Sequence, residues 1–138
     1  MNITEQSKLE DRSRGEHSAT SDIARINDFI RSLSEVTGDY TMPSQQQLLL
    51  LSLFVRGTIN QQDLETHTGV KRSSNSRNIS KLGRGEKAWT DDGPHLVESF
   101  EDLLDRRMKL VRLTPKGQAV IKQAWEMAFK VPPPKSKP

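Results

Sequence analysis

Between Ser21 and Thr37 the apolar residues Ile23, Ile26, Phe29, Ile30, Leu33 and Val36 recur at spacings of three and four. That spacing lines them along one face of an amphipathic helix, with Thr20 or Ser21 as its N-cap and Gly38 as its stop. Pro43 is placed to open a second helix, because its missing N–H costs nothing in a first turn. The unbroken run Leu48–Leu51 with Leu53, Phe54 and Val55 predicts a helix buried on most sides and ended by Gly57. Asn60, a good cap, with Asp63 near the positive end of the helix dipole, starts a short third helix that carries Leu64 inward and stops at Gly69. A fourth follows through Ser76, Arg77, Ile79 and Leu82 to Gly83. Helix, short glycine turn and helix is the helix-turn-helix pattern.

After Gly83 the periodicity changes. Residues 84–95 read as an irregular charged loop closed by Gly93-Pro94. Leu96-Val97 and Leu110–Leu113 are β-prone and predict a hairpin with its tip near Asp102–Arg107. Thr114-Pro115 then begins a last helix by cap and proline. Val120, Ile121, Ala124, Trp125, Ala128 and Phe129 form its apolar stripe. The expected fold class is mainly α with a small β-hairpin, a winged helix-turn-helix flanked by N- and C-terminal helices.

Composition narrows this to one domain. Only 33% of the 138 residues are apolar, and the deficit lies at the ends. Residues 1–20 offer almost nothing to bury, and residues 131–138 hold four prolines and two lysines. The expected organisation is a disordered arm over 1–20, the folded domain over 21–130, and a disordered Pro/Lys tail over 131–138. The formal charge of +3 hides an asymmetry. Residues 71–116 carry eleven Lys/Arg against seven Asp/Glu, a local balance of +4. A local basic surface is the minimum electrostatic requirement for binding phosphates.

Candidate chemistry is sparse. Without cysteine there is neither a disulfide nor a thiolate metal site. His17, His67 and His95 lie in three separate segments without ligand spacing, so no metal is expected. No nucleophile–base arrangement, phosphate-binding glycine loop or positioned carboxylate pair is present, and the chain is read as a non-enzyme needing no cofactor. No apolar run approaches a membrane span and no signal-peptide pattern opens the chain, which points to the cytoplasm. Trp89, in the charged loop, is expected to cover a patch of core; Trp125 belongs to core or to a dimer interface.

The stretch Asp105-Arg106-Arg107-Met108-Lys109-Leu110-Val111-Arg112-Leu113-Thr114-Pro115-Lys116-Gly117 resembles the wing motif of the MarR family of transcription regulators. In that motif Asp-x-Arg precedes a strand, and Leu-Thr-x-x-Gly begins the next helix. Pro43-Ser44-Gln45, and Leu64 with Gly69-Val70 before the Ser/Arg-rich helix, match in order and spacing, so the resemblance covers roughly residues 40–125. It implies that Arg72, Ser73, Ser74, Ser76 and Arg77 face the major groove from the recognition helix, with Lys81 on the same element. It further implies that Arg107 enters the minor groove held by Asp105, while Arg106 approaches the backbone.

Three features depart from the family. Asn75 and Asn78 stand where its members carry aliphatic residues, so either the amides find partners or the helix docks in a different rotation. Segment 84–95 looks like an insertion, and the chain ends one helix before the family's usual C-terminal dimerisation helix. The function implied is sequence-specific binding of double-stranded DNA by a dimeric transcriptional regulator, a repressor. The dimer expected joins the Ile23, Ile26, Ile30, Leu33 stripe to Ile121, Trp125, Ala128 and Phe129, and nothing in the sequence supports a small-molecule effector. The alternatives are a winged helix used for protein interaction or assembly, and an accessory DNA-binding protein of phage or plasmid replication or recombination.

Overall fold

A computed structural model of the chain describes residues 3–87 and 89–130 together with 135 and 137, with side chains from residue 19 onward. Five helices and three strands follow in the order α1 (Ile3–Thr37), α2 (Ser44–Arg56), β1 (Ile59–Asn60), α3 (Gln61–Thr68), α4 (Arg72–Leu82), β2 (Val97–Glu101), β3 (Lys109–Leu113) and α5 (Pro115–Phe129). The mainly helical class with a winged helix-turn-helix is what the sequence pattern predicts. Most of the tail expected over 131–138 lies outside the described residues.

The first helix departs from expectation. It begins at Ile3, so Thr20 and Ser21 are interior to it, and the arm expected to be disordered over 1–20 is helical from residue 3. Residues 3–20 contain no proline and many good helix formers. Extending an existing helix avoids the costly nucleation step, so a packed C-terminal half suffices to propagate it backwards. That half packs along α5, with Phe29 and Leu33 buried at the contact.

Leu49, Leu50 and Leu53 carry α2 into the centre of the core, where they join Ile59, Leu64, Ile79, Leu82, Leu96, Val97, Val111, Val120, Ile121 and Ala124. The helix is not buried all round, since Leu48 and Val55 are exposed. Asn60 caps α3 as predicted: its Oδ1 accepts the Asp63 N–H at 2.8 Å, and its Nδ2 donates to the Asp63 carboxylate at 3.0 Å. Gly69 closes α3 in the left-handed region at φ 71°, a conformation open to glycine at no steric cost.

The sheet has one strand more than the expected hairpin. Ile59 and Asn60 pair antiparallel with Val111 and Leu110, giving the order β1-β3-β2. Two residues are too few to show a period-2 pattern, which is why β1 leaves no trace in the sequence. β2 and β3 pair in register from Val97↔Leu113 to Glu101↔Lys109. The Thr114 hydroxyl accepts the Gly117 N–H at 3.0 Å and caps α5. Gly117 explains the glycine of the Leu-Thr-x-x-Gly motif, because a Cβ there would lie 2.0 Å from the Leu96 carbonyl oxygen.

Candidate nucleic-acid interface

The fourth helix divides cleanly. Asn75, Asn78, Ile79 and Leu82 form its buried side, while Arg72, Ser73, Arg77, Ser80 and Lys81 are exposed along the opposite one. The two asparagines therefore sit where aliphatic residues would, and the helix keeps its rotation because the amides find partners. Asn75 Nδ2 donates to the Val70 carbonyl at 3.1 Å and to Thr68 Oγ1 at 3.4 Å; Asn78 Nδ2 donates to Gln45 Oε1 at 3.2 Å. The first pair ties α4 to the turn before it, and the second ties it to the start of α2. Asn75 Oδ1 has no hydrogen-bond partner.

Two serines expected on the outer face are only half-exposed. Ser74 lies at its edge, and the Ser76 hydroxyl donates to Gln61 Oε1 of α3 at 3.1 Å. Ser76 thus helps to join the two helices of the motif. Lys81 is exposed and lies 3.4 Å from Glu86. Ser80, absent from the expected set, belongs to the exposed face. Its place one helical turn after Arg77 is the signal that could have found it.

The hairpin tip is built around two carboxylates. Asp102 Oδ1 accepts the Leu104 N–H at 2.9 Å, and Asp105 Oδ1 accepts both the Arg107 N–H at 3.1 Å and Arg107 Nε at 3.2 Å. Backbone bonds from Met108 N–H to the Asp105 carbonyl, 2.9 Å, and from Asp102 N–H to the Met108 carbonyl, 3.0 Å, close the turn. The expected pairing of Asp105 with Arg107 is present, and Arg106 is exposed beside it. Arg112 differs from these: its Nε donates to Glu98 at 2.6 Å across the sheet and its guanidinium lies 4.3 Å from the Phe100 ring centroid. That cation is committed within the wing.

The fourth helix and the hairpin meet on one side of the molecule. Arg72 of α4 lines a cleft of about 130 Å³ together with Arg107, Met108 and Lys109 of the wing and with Asn60, Gln61 and Gln62 at the start of α3. Lys109 is not among the expected residues: strand alternation puts it on the face of the buried Val111 and Leu113, and it is exposed because it stands at the outer end of β3. Three cations from two segments, one on α4 and two on the hairpin, therefore border one cleft, a distribution that attracts phosphate.

The loop after α4 is strapped at its base. Gly93 N–H bonds to the Arg84 carbonyl, His95 N–H to that of Gly83, and Leu96 N–H to that of Leu82, at 2.8, 2.9 and 2.7 Å. Trp89 does not cover core as expected but is 82% exposed, because the strapped stems hold the loop away from the apolar cluster. Trp125 is half-buried, stacked on Phe129 at 3.9 Å between ring centroids and edge-on to Phe29. Among the described residues no three His, Asp or Glu side chains gather as a metal site, and no helix is long and apolar enough to cross a membrane.

No protein-family model and no curated protein matches the chain. Solved structures do. RV1404 from Mycobacterium tuberculosis aligns at a TM-score of 0.66 and 24% identity over 84% of this chain and 72% of its own. The transcriptional regulator Tm0710 from Thermotoga maritima aligns at 0.59 and 19% over 89% and 75%. The fold they share with this chain is the winged helix that the MarR resemblance implies. Another winged helix of similar fold, reduced AbfR, is bound to DNA in its structure and aligns at 0.53 and 16% over 96% of this chain and 86% of its own.

Proposed function

We propose that this winged helix binds double-stranded DNA at specific sequences as a dimer and regulates transcription. The observation that carries the reading is the exposed face of α4, with Arg72, Ser73, Arg77 and Lys81, set beside the wing cations Arg107 and Lys109. In this reading Arg77 pairs with a base edge in the major groove, where an arginine reads guanine bidentately. Arg107, oriented by Asp105, meets the adjoining minor groove, and Arg106 and Lys109 meet phosphates. No step is chemical; recognition alone is the activity. The similar fold of AbfR, bound to DNA in its structure, supports the same reading.

Dimerisation is supported by apolar surface that one protomer leaves open. On α1, Ile23, Ile26 and Ile30 are exposed, adjoining the Phe29 and Leu33 side that α5 covers, and Met127 is exposed on α5 itself. A two-fold pairing through these helices would bury that surface and present two recognition helices to successive half-sites about 34 Å apart. Selection of bound sites from a random duplex library, followed by salt titration of the selected site, tests the proposal. Pseudo-palindromic sites and an affinity that falls steeply with salt are expected. Failure to enrich any sequence, with no salt-dependent binding to duplex DNA, would refute it.

A further inference from the structure

Leu103 and Leu104 are the most exposed large apolar side chains of the described residues, at 93% and 97%. They stand side by side at the wing tip, immediately before Asp105 and the two arginines. We propose that these leucines form an apolar wedge that enters the minor groove of the bound duplex and loosens the stacking of one base step. The proposal rests on the DNA-binding reading above and adds to it a source of sequence preference that needs no hydrogen bond to a base.

Four observations converge on duplex DNA as the occupant. The tip is fixed before binding: the Asp102 and Asp105 carboxylates and two backbone bonds hold its turn, so presenting the leucines costs little further ordering. The two carboxylates nearest the leucines are engaged with backbone N–H groups and with Arg107, which reduces the repulsion they offer to phosphate. Arg106 and Arg107 follow within the same turn, both exposed, and place cations beside the leucines. Finally, the tip is continuous with the cleft where Arg107 and Lys109 meet Arg72, so a duplex seated on α4 runs past it. Leucine is among the side chains that proteins insert between base steps from the minor groove, and the resulting kink is cheapest at flexible pyrimidine–purine steps.

The test uses the full chain and the variant Leu103→Ser with Leu104→Ser. Both positions are almost wholly exposed, so the thermal midpoint should not move. Two duplexes share the selected recognition sequence and differ only beneath the wing, one with a TA step and a neighbouring 2-aminopurine, the other with a stiff A-tract. Wild type should brighten the 2-aminopurine on binding and prefer the TA duplex. The variant should lose the brightening and bind the TA duplex roughly tenfold more weakly, the A-tract duplex unchanged, with the same salt slope because no phosphate contact is lost. A variant that keeps both the brightening and the TA preference overturns the wedge while leaving DNA binding intact. So does a variant whose only change is weaker self-association without DNA, which would assign the tip to a second copy. A wild type that binds neither duplex overturns the wedge and the DNA reading together.

Discussion

Replacing Asn75 by alanine measures what a buried amide does in the middle of α4. Asn75 is 1% exposed, and its Nδ2 donates to the Val70 carbonyl at 3.1 Å. Truncation takes that donor from a half-buried carbonyl, a loss of about 1–2 kcal/mol. The void left by the missing amide adds about 1 kcal/mol. Against this, Asn75 Oδ1 is buried without a partner, and removing it returns about 1 kcal/mol of desolvation. The balance is a destabilisation of about 1–2 kcal/mol, or a thermal midpoint lower by about 4–10 °C for a domain of this size. Thermal and urea unfolding followed by circular dichroism read it directly. Ser73→Ala, on the exposed side of the same helix, serves as control and should stay within about 0.5 kcal/mol of wild type. If Asn75→Ala melts with wild type, the bond to Val70 contributes nothing, and the explanation given for the helix's rotation fails with it.

Three further outcomes are expected. Arg77→Ala should weaken binding to the selected site by about 1–3 kcal/mol and relax preference at one base position, measured by competition with singly substituted duplexes; unchanged affinity would remove Arg77 from the interface. Gly117→Ala should destabilise by about 1–3 kcal/mol or more, because its Cβ would meet the Leu96 carbonyl oxygen at 2.0 Å and backbone must move; a midpoint equal to wild type would contradict that close packing. Ile26→Asp should leave the protomer folded, since Ile26 is exposed within it, yet convert dimer to monomer in a light-scattering concentration series. A wild type that is itself monomeric well above micromolar concentration would refute the proposed pairing.

What can be read from the chain alone divides along physical lines. Caps, stops and close approaches are legible because one residue decides each: Asn60, Gly69, Thr114-Pro115 and Gly117 all do what their chemistry predicts. The exposed arginines of α4 follow from period 3.6 alone. Less local facts are hidden. The start of α1 depends on propagation from a packed half rather than on a cap, and β1 exists only because β3 arrives from far along the chain to pair with it. Ser76 reads as a groove-facing hydroxyl until the fold brings Gln61 of α3 within hydrogen-bond distance. Trp89 departs from expectation because aromatic residues usually gain by burial, whereas here the stems of its loop are tied together away from the core.

Under the proposed function, the central position of β3 bears on how a bent or straight duplex would be met. One edge of β3 holds the outer wing strand, and the other holds Ile59 and Asn60, the latter also the cap of α3. Swinging the hairpin to follow a groove would therefore strain the pairing at Asn60 and pull on the first turn of the helix-turn-helix. In that reading the wing and α4 would act as one stiff caliper with a set gap between its jaws. Compliance has to come from the DNA, and sites whose groove already matches that gap are held at the smaller elastic cost.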